Sequence, residues 1–258
     1  MTTSDKTAGT LLQELTWMQA RDVLGPETLV VIPLGAACKE HGPHLLLKND
    51  LIIAEYCKDR VLEAADVVIA PTVGLHYYPA FVEYPGSIHL RLETARDLII
   101  DVCTSLAAFG PRRFYVLNTG ISTIRALRPA AEELARQGIV MRYTDLRDAL
   151  GPVEDRLAEQ DGGSHADEME TSMMLYIAPD TVDMAKAVKD YDPDYRGGLS
   201  PRADSGKTYS PTGIWGDPTL ASREKGEIVV EALIAAILAD IAALRGVAVS
   251  AAGPAEES

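Results

Sequence analysis

Short apolar, β-branched runs alternate with amphipathic stretches along most of this 258-residue chain. Leu12, Leu15, Met18, Val23 and Leu24 recur at roughly helical spacing, which predicts a short first helix ended by Gly25-Pro26. Leu29-Val30-Val31-Ile32-Pro33-Leu34 predicts a strand, Leu51 to Leu62 a helix, and Val67-Val68-Ile69-Ala70-Pro71 a short buried strand. Arg91 to Phe109 reads as a long helix with Leu92, Ala95, Leu98, Ile99, Val102 and Leu106 inward, stopped by Gly110-Pro111. Phe114 to Leu117 is a third strand, residues 123–137 a helix, and Ile139 to Tyr143 a fourth strand. This rhythm implies a three-layer α/β fold: a mostly parallel sheet with right-handed crossovers and helices on both faces. His165 to Ser172 opens a further helix with Met173, Met174, Leu175 and Ile177 as its apolar content, and Leu220 to Leu244 is the last. Residues 190–217 show little periodicity, and a loop of that length commonly serves as a lid or subunit contact. A single domain over residues 11–245 is expected, with flexible tails at 1–10 and 246–258.

The polar positions concentrate directly after the first strand. Lys39-Glu40-His41-Gly42-Pro43-His44 is dense in ionisable groups, and Asn49-Asp50 follows before the next apolar run. Open α/β sheets present reactive groups beyond the carboxyl ends of their strands, so residues 35–50 read as the site loop. Asp50 stands where a helix cap belongs, and either a cap or a side chain facing the site fits its position. Residues 72–87 bring His76, Tyr77, Tyr78 and Tyr84, enough aromatic surface to wall a pocket or to make a subunit contact. The first turn of the helix at 165–172 carries Asp167, Glu168 and Glu170, which the helix dipole alone would favour. Spacing also lets His165 and Glu168 point one way while Glu170 is held apart.

Composition narrows the partners. A formal charge of −14 with no basic stripe argues against nucleic acid and anionic membrane surfaces, leaving small molecules or other subunits. Three cysteines without CxxC spacing, a polar start and no long apolar run make a cytoplasmic protein the expectation.

Four separated segments together resemble the creatininase (creatinine amidohydrolase) family. They are Pro33-Leu34-Gly35 with Glu40-His41-Gly42-Pro43-His44 and Asp50, Tyr84 to Ile88, His165 to Ser172, and Thr212 to Pro218 with Lys225-Gly226-Glu227. The resemblance implies a hydrolase of C–N bonds in small, often cyclic amides, assembled as a homo-oligomer, often a hexamer. Family members use two divalent ions, which lower the pKa of bound water and stabilise the tetrahedral oxyanion.

This chain departs from the family pattern at two ligand positions. Lys39 stands where the motif Glu-x-His-Gly-Pro-His begins with Glu, and Asn118-Thr119-Gly120 has Gly120 where the family has a ligand His. Both losses fall on one ion. The resemblance therefore implies a site reduced to one metal, zinc or manganese, on His41, Asp50 and Glu168. Lys39 is assigned as an electrostatic or acid–base partner, with a solvent-facing lysine as the alternative, and His165 as the general acid. Glu170 is expected to orient its neighbours. Glu40, the neighbour of Lys39, is expected to point away from the site unless it swings in as a substitute ligand, and His44 to hold the loop. Tyr77, Tyr78, Tyr84, Asn118 and Gly120 are assigned to the substrate pocket, and His76 and His89 to the surface. Ring opening of a cyclic ketone or lactone is the alternative reaction. A metal-free binding or assembly subunit is the alternative of another class.

Overall fold

Every residue of Leu29–Leu34 (β2) is buried, because helices cover both faces of the strand and neighbouring strands take both of its edges. The computed structural model describes residues 8–194 and 196–249. In it β2 pairs with Val68–Ile69 (β3) on one side and Arg113–Asn118 (β4) on the other. Thr10–Leu11 (β1) and Val140–Tyr143 (β5) form the edges of a five-stranded parallel sheet, ordered β1-β3-β2-β4-β5. Side chains alternate across the sheet with a period of two. Leu29, Val31, Tyr115 and Leu117 pack against Asn49–Ala64 (α2), Glu168–Ile177 (α6) and Arg223–Arg245 (α7). Val30, Ile32, Leu34, Phe114 and Val116 pack against Leu92–Ala107 (α3) and Ile124–Arg136 (α4). The three-layer architecture expected from the sequence is the one observed.

The differences have local causes. Residues 12–24 divide into a 3₁₀ turn, Leu12–Glu14, and a helix, Trp17–Val23 (α1), because Thr16 and Gln19 form a reciprocal capping box that starts a new helix. Leu146–Leu157 (α5) has no counterpart among the expected elements. Gly151-Pro152 reads as a breaker, yet the helix runs through it and packs on α7. The segment 190–217 holds a small parallel ladder, Leu199–Ser200 (β6) with Thr208–Tyr209 (β7), and bridges from Trp215 to His165 and from Gly216 to Asp190. Of the expected tails, residues 1–7 and 250–258 lie outside the described residues; Thr10 is in β1, and the Val247 carbonyl accepts from Arg113 Nε at 3.0 Å. His76 is not a surface residue: it is fully buried, which pushes its pKa down to about 4. His89 is half-buried, its ring 5.7 Å from that of Tyr77. No described helix is long and apolar enough to cross a membrane.

One close approach positions the site. A Cβ on Gly35 would sit 2.3 Å from the Asp50 carbonyl oxygen, so only glycine lets the start of α2 press against the end of β2. Thr119 Oγ1 then bridges the Leu34 and Asp50 carbonyls, at 3.1 Å each. Gly35→Ala should destabilise the protein by at least about 1–3 kcal/mol, the usual cost of overpacking, because backbone and not a flexible side chain must move. Urea denaturation checks this, and a cost under half a kcal/mol would mean that the helix start is looser than described.

Candidate metal centre

Asp50, in the first turn of α2, does not cap the helix; Lys48 is the cap residue and makes no side-chain cap bond. Both Asp50 oxygens face the site instead. Oδ2 lies 2.7 Å from Lys39 Nζ and Oδ1 2.8 Å from His41 Nε2. Lys39 is therefore buried and not solvent-facing, with its ammonium 5.1 Å from the Phe81 ring centre and 5.8 Å from that of Tyr78. Burial pulls the Lys39 pKa down, but Asp50, Glu170 and Glu40 outweigh it and raise it above its ordinary value. Lys39 stays charged.

The helix cap decides which acidic residue of α6 faces the site. Ala166 adopts φ +48°, and Asp167 then caps the helix by accepting from Met169 N and Glu170 N. Residues two apart on a helix point about 200° apart, so Glu168 and Glu170 cannot share a side. Glu170 is the one beside the histidines: its Oε1 is 3.4 Å from His41 Nε2 and its Oε2 3.7 Å from His165 Nδ1. Glu168, expected as a metal ligand, is turned to the opposite side, where Lys225 Nζ pairs with it and the amides of Glu159 and Gln160 donate to it at 2.9 Å. The set His41, Asp50 and Glu168 is thus not brought together. The set that is brought together is His41, His165 and Glu170, whose donor atoms all lie within 4.8 Å of one another.

Glu40 also departs from expectation. Residues 39–41 are loop and not strand, so the alternation of a strand does not apply, and both Lys39 and Glu40 turn inward. Glu40 Oε2 accepts from His165 Nε2 at 2.9 Å.

The two imidazoles are prepared for a cation. His41 Nδ1 lies 2.8 Å from the Lys39 carbonyl, which can only accept, so Nδ1 carries the hydrogen and Nε2 presents its lone pair to Asp50 and Glu170. His165 Nε2 donates to Glu40, leaving its Nδ1 lone pair toward Glu170. Lone pairs facing carboxylates repel unless a proton or a metal ion lies between them. The proton shows the strength of this demand: burial and Lys39 lower the His41 pKa, yet Asp50 and Glu170 lift it to about 9. Tetrahedral zinc with ligands at about 2.0–2.1 Å places them roughly 3.3 Å apart; Glu170 Oε1 lies near that spacing from His41 Nε2, at 3.4 Å, and Oε2 is somewhat farther from His165 Nδ1, at 3.7 Å. Two imidazoles and a carboxylate suit zinc or manganese. Glu40, Asp50 and Glu170 bring three negative charges against one on Lys39, a balance that one divalent ion offsets.

The remaining candidates divide. Tyr78 is buried beside Lys39, and its hydroxyl has no hydrogen-bond partner among the described residues. Tyr84 is committed to the fold, donating to the Ser210 carbonyl at 2.7 Å. Asn118 spends its amide on the Gly120 and Thr144 carbonyls, and its oxygen accepts from Gly120 N and Thr123 Oγ1; it shapes the loop after β4 without offering a free group. Tyr77 is half-buried, its carbonyl accepting from Ser122 Oγ. His44 pairs with Thr171 Oγ1 at 2.8 Å and, through burial, has its pKa lowered to about 4, which suits a neutral support. Sequence reasoning missed Phe81, which stacks on His165 at 4.0 Å, and Glu154 on the unforeseen α5. Burial, then Asp167 and Glu170, push the Glu154 pKa up to about 7.

The family model of creatininase (creatinine amidohydrolase) matches residues 13–241. The chain belongs to the creatininase family. It is similar to a creatinine amidohydrolase of Pseudomonas putida, 28% identical over 87% of this chain and 93% of that one. It is also similar to a mycofactocin precursor peptide peptidase of Mycolicibacterium smegmatis, 29% identical over 80% and 81%. A crystal structure of creatininase superposes with a TM-score of 0.78 at 24% identity, over 94% of this chain and all of that one, which shows the shared fold. Family and donor set together make this a metal-dependent hydrolase framework with a single metal-binding set among the described residues.

Two outcomes follow from this geometry. Glu170→Ala should abolish zinc binding in a chelator competition, whereas Glu168→Gln should keep it while costing about 1.5–3 kcal/mol of stability, the usual worth of a hydrogen bond to a charged group, since Lys225 keeps Glu159 and the Leu220 carbonyl. The reverse pattern would restore the set expected from the sequence. The raised Glu154 pKa means that folding holds a proton the unfolded chain releases, so ionisation destabilises the fold as pH rises from the ordinary carboxylate value through about 7. Glu154→Gln should therefore raise Tm most above pH 7, with the gain shrinking toward pH 5.

Proposed function

We propose that this chain is a single-metal amidohydrolase of small polar, cyclic amides. The observation that carries the reading is the shared arrangement of His41 and His165: each spends one ring N–H on an outer acceptor, the Lys39 carbonyl or Glu40, and turns its other nitrogen toward carboxylates, His41 Nε2 to Asp50 at 2.8 Å and to Glu170, His165 Nδ1 to Glu170. A divalent ion bound there supplies an activated water and polarises the substrate carbonyl.

The chain's own residues do the rest. His41, His165 and Glu170 would hold the ion. Lys39, fixed by Asp50 and kept charged, is a hydrogen-bond donor and a positive charge for the oxygen on which negative charge develops. The Tyr78 hydroxyl is a second donor free to meet a ligand. In this reading His165 is a ligand and not the general acid, because its Nε2 proton is committed to Glu40. Lys39, Glu40, His41 and Asp50 are nearly closed off from solvent and Glu170 retains 20% side-chain exposure, which favours a small substrate. The names of both relatives concern amide chemistry, which supports a C–N bond as the target. The resemblance implies a homo-oligomer, for which light scattering is the direct check.

The test is a panel of small cyclic and linear amides assayed before and after chelation. Hydrolysis of a cyclic member, lost on chelation and regained with zinc or manganese, is the expected result. Chelator-insensitive turnover, or binding of panel members without turnover by metal-loaded protein, would overturn the reading. Tyr78→Phe should lower kcat/KM while raising Tm, since a buried hydroxyl without a partner costs about 1–3 kcal/mol.

A further inference from the structure

Glu40 follows Lys39 and precedes His41, yet the hydrogen bonds of its carboxylate go to Gly42 and His165. It is buried at 6% exposure, and its two oxygens are separately engaged. Oε1 accepts from Gly42 N, and Oε2 accepts from His165 Nε2 at 2.9 Å. The Glu40 backbone amide is anchored as well, donating to Ser87 Oγ at 3.0 Å.

The floor beneath this carboxylate is Gly213. Its φ is +82°, and a Cβ there would lie 2.0 Å from Glu40 Oε1 and 2.2 Å from its carboxyl carbon. A carboxylate on a flexible side chain could ordinarily move aside, but here movement would break the contact with His165. The segment that carries Gly213 also holds the His165 backbone: Trp215 N donates to the His165 carbonyl at 2.9 Å, and His165 N donates to the Trp215 carbonyl at 3.3 Å. Gly213 N is itself fixed by Ser210 Oγ at 2.8 Å.

We infer that Glu40 is a positioning residue that fixes the tautomer and direction of the His165 ring, and that residues 210–216 assemble this contact through Gly213. The proposal rests on the single-metal reading for one of its two readouts. A carboxylate that takes the outer N–H of an imidazole leaves the inner nitrogen as a lone pair and makes it a better donor to a metal, and loss of such a partner costs about 10–100-fold in metal affinity. Gly213 acts one step further back, by leaving the space that the Glu40 carboxylate occupies.

The experiment compares wild type, Glu40→Gln, Glu40→Ala, Gly213→Ala and the Glu40→Ala/Gly213→Ala double variant, each first shown to be folded by circular dichroism. Zinc affinity is read by chelator competition, and the neutral His165 tautomer in metal-free protein by long-range ¹H–¹⁵N NMR. Wild type should show the Nε2–H tautomer. Glu40→Ala should lose it and bind zinc about 10–100-fold more weakly, with Glu40→Gln intermediate because an oxygen acceptor remains. Gly213→Ala should reproduce the loss in the wild-type background and add none to Glu40→Ala, whatever its effect on stability. Unchanged tautomer and affinity in Glu40→Ala, or an equal Gly213→Ala cost in both backgrounds, would overturn the proposal. Failure of wild type to bind zinc would sink the single-metal reading, and the tautomer would still decide the role of Glu40.

Discussion

Carboxylates buried together demand a compensating positive charge, and the region beyond the end of β2 is organised around meeting that demand. Asp50 and Glu170 converge on His41 inside a nearly closed site. Lys39 answers part of the demand permanently, and its ammonium is further favoured by the faces of Phe81 and Tyr78. The remainder falls on His41, either as a proton or as part of a metal site. A buried lysine in this position makes a second divalent ion costly, since it would have to displace or neutralise a charge already paired with Asp50.

The scaffold keeps that charge cluster together through contacts that leave little slack. Gly35 lets α2 begin against the strand end, Thr119 ties the two by their carbonyls, and Asp167 sets the rotation at which α6 presents Glu170. The far side of α6 is held equally firmly, by Glu168 on Lys225 of α7. Glu168 thus belongs to the packing of α6 and α7. The segment that follows β7 closes the remaining side through Trp215 and Gly213.

Much of this was legible in the residues. The β2 run read directly as a buried strand, and the concentration of imidazole and carboxylate after it identified the site loop, including Lys39, His41 and Asp50. The alternation of elements gave the parallel three-layer arrangement. What failed was phase and local geometry. Choosing Glu168 over Glu170 required knowing that the helix starts after an Asp167 cap and a left-handed Ala166, which spacing alone does not show. Placing Glu40 outward assumed a strand where the chain is a loop turned by Gly42. Residues 146–157 were assigned no element, so α5 and with it Glu154 were missed. Gly213 gave no sequence signal beyond membership of a family segment, since its role is steric and lies 173 positions from Glu40 in the chain.

The measurement that bears most directly on the single-ion account is elemental analysis of the purified protein for zinc, manganese and iron per chain, after reconstitution with excess metal. One ion per chain is the predicted value, because one divalent charge balances Glu40, Asp50 and Glu170 against Lys39. Two per chain would contradict it by showing that Lys39 yields its place, and none would remove the metal from the mechanism altogether.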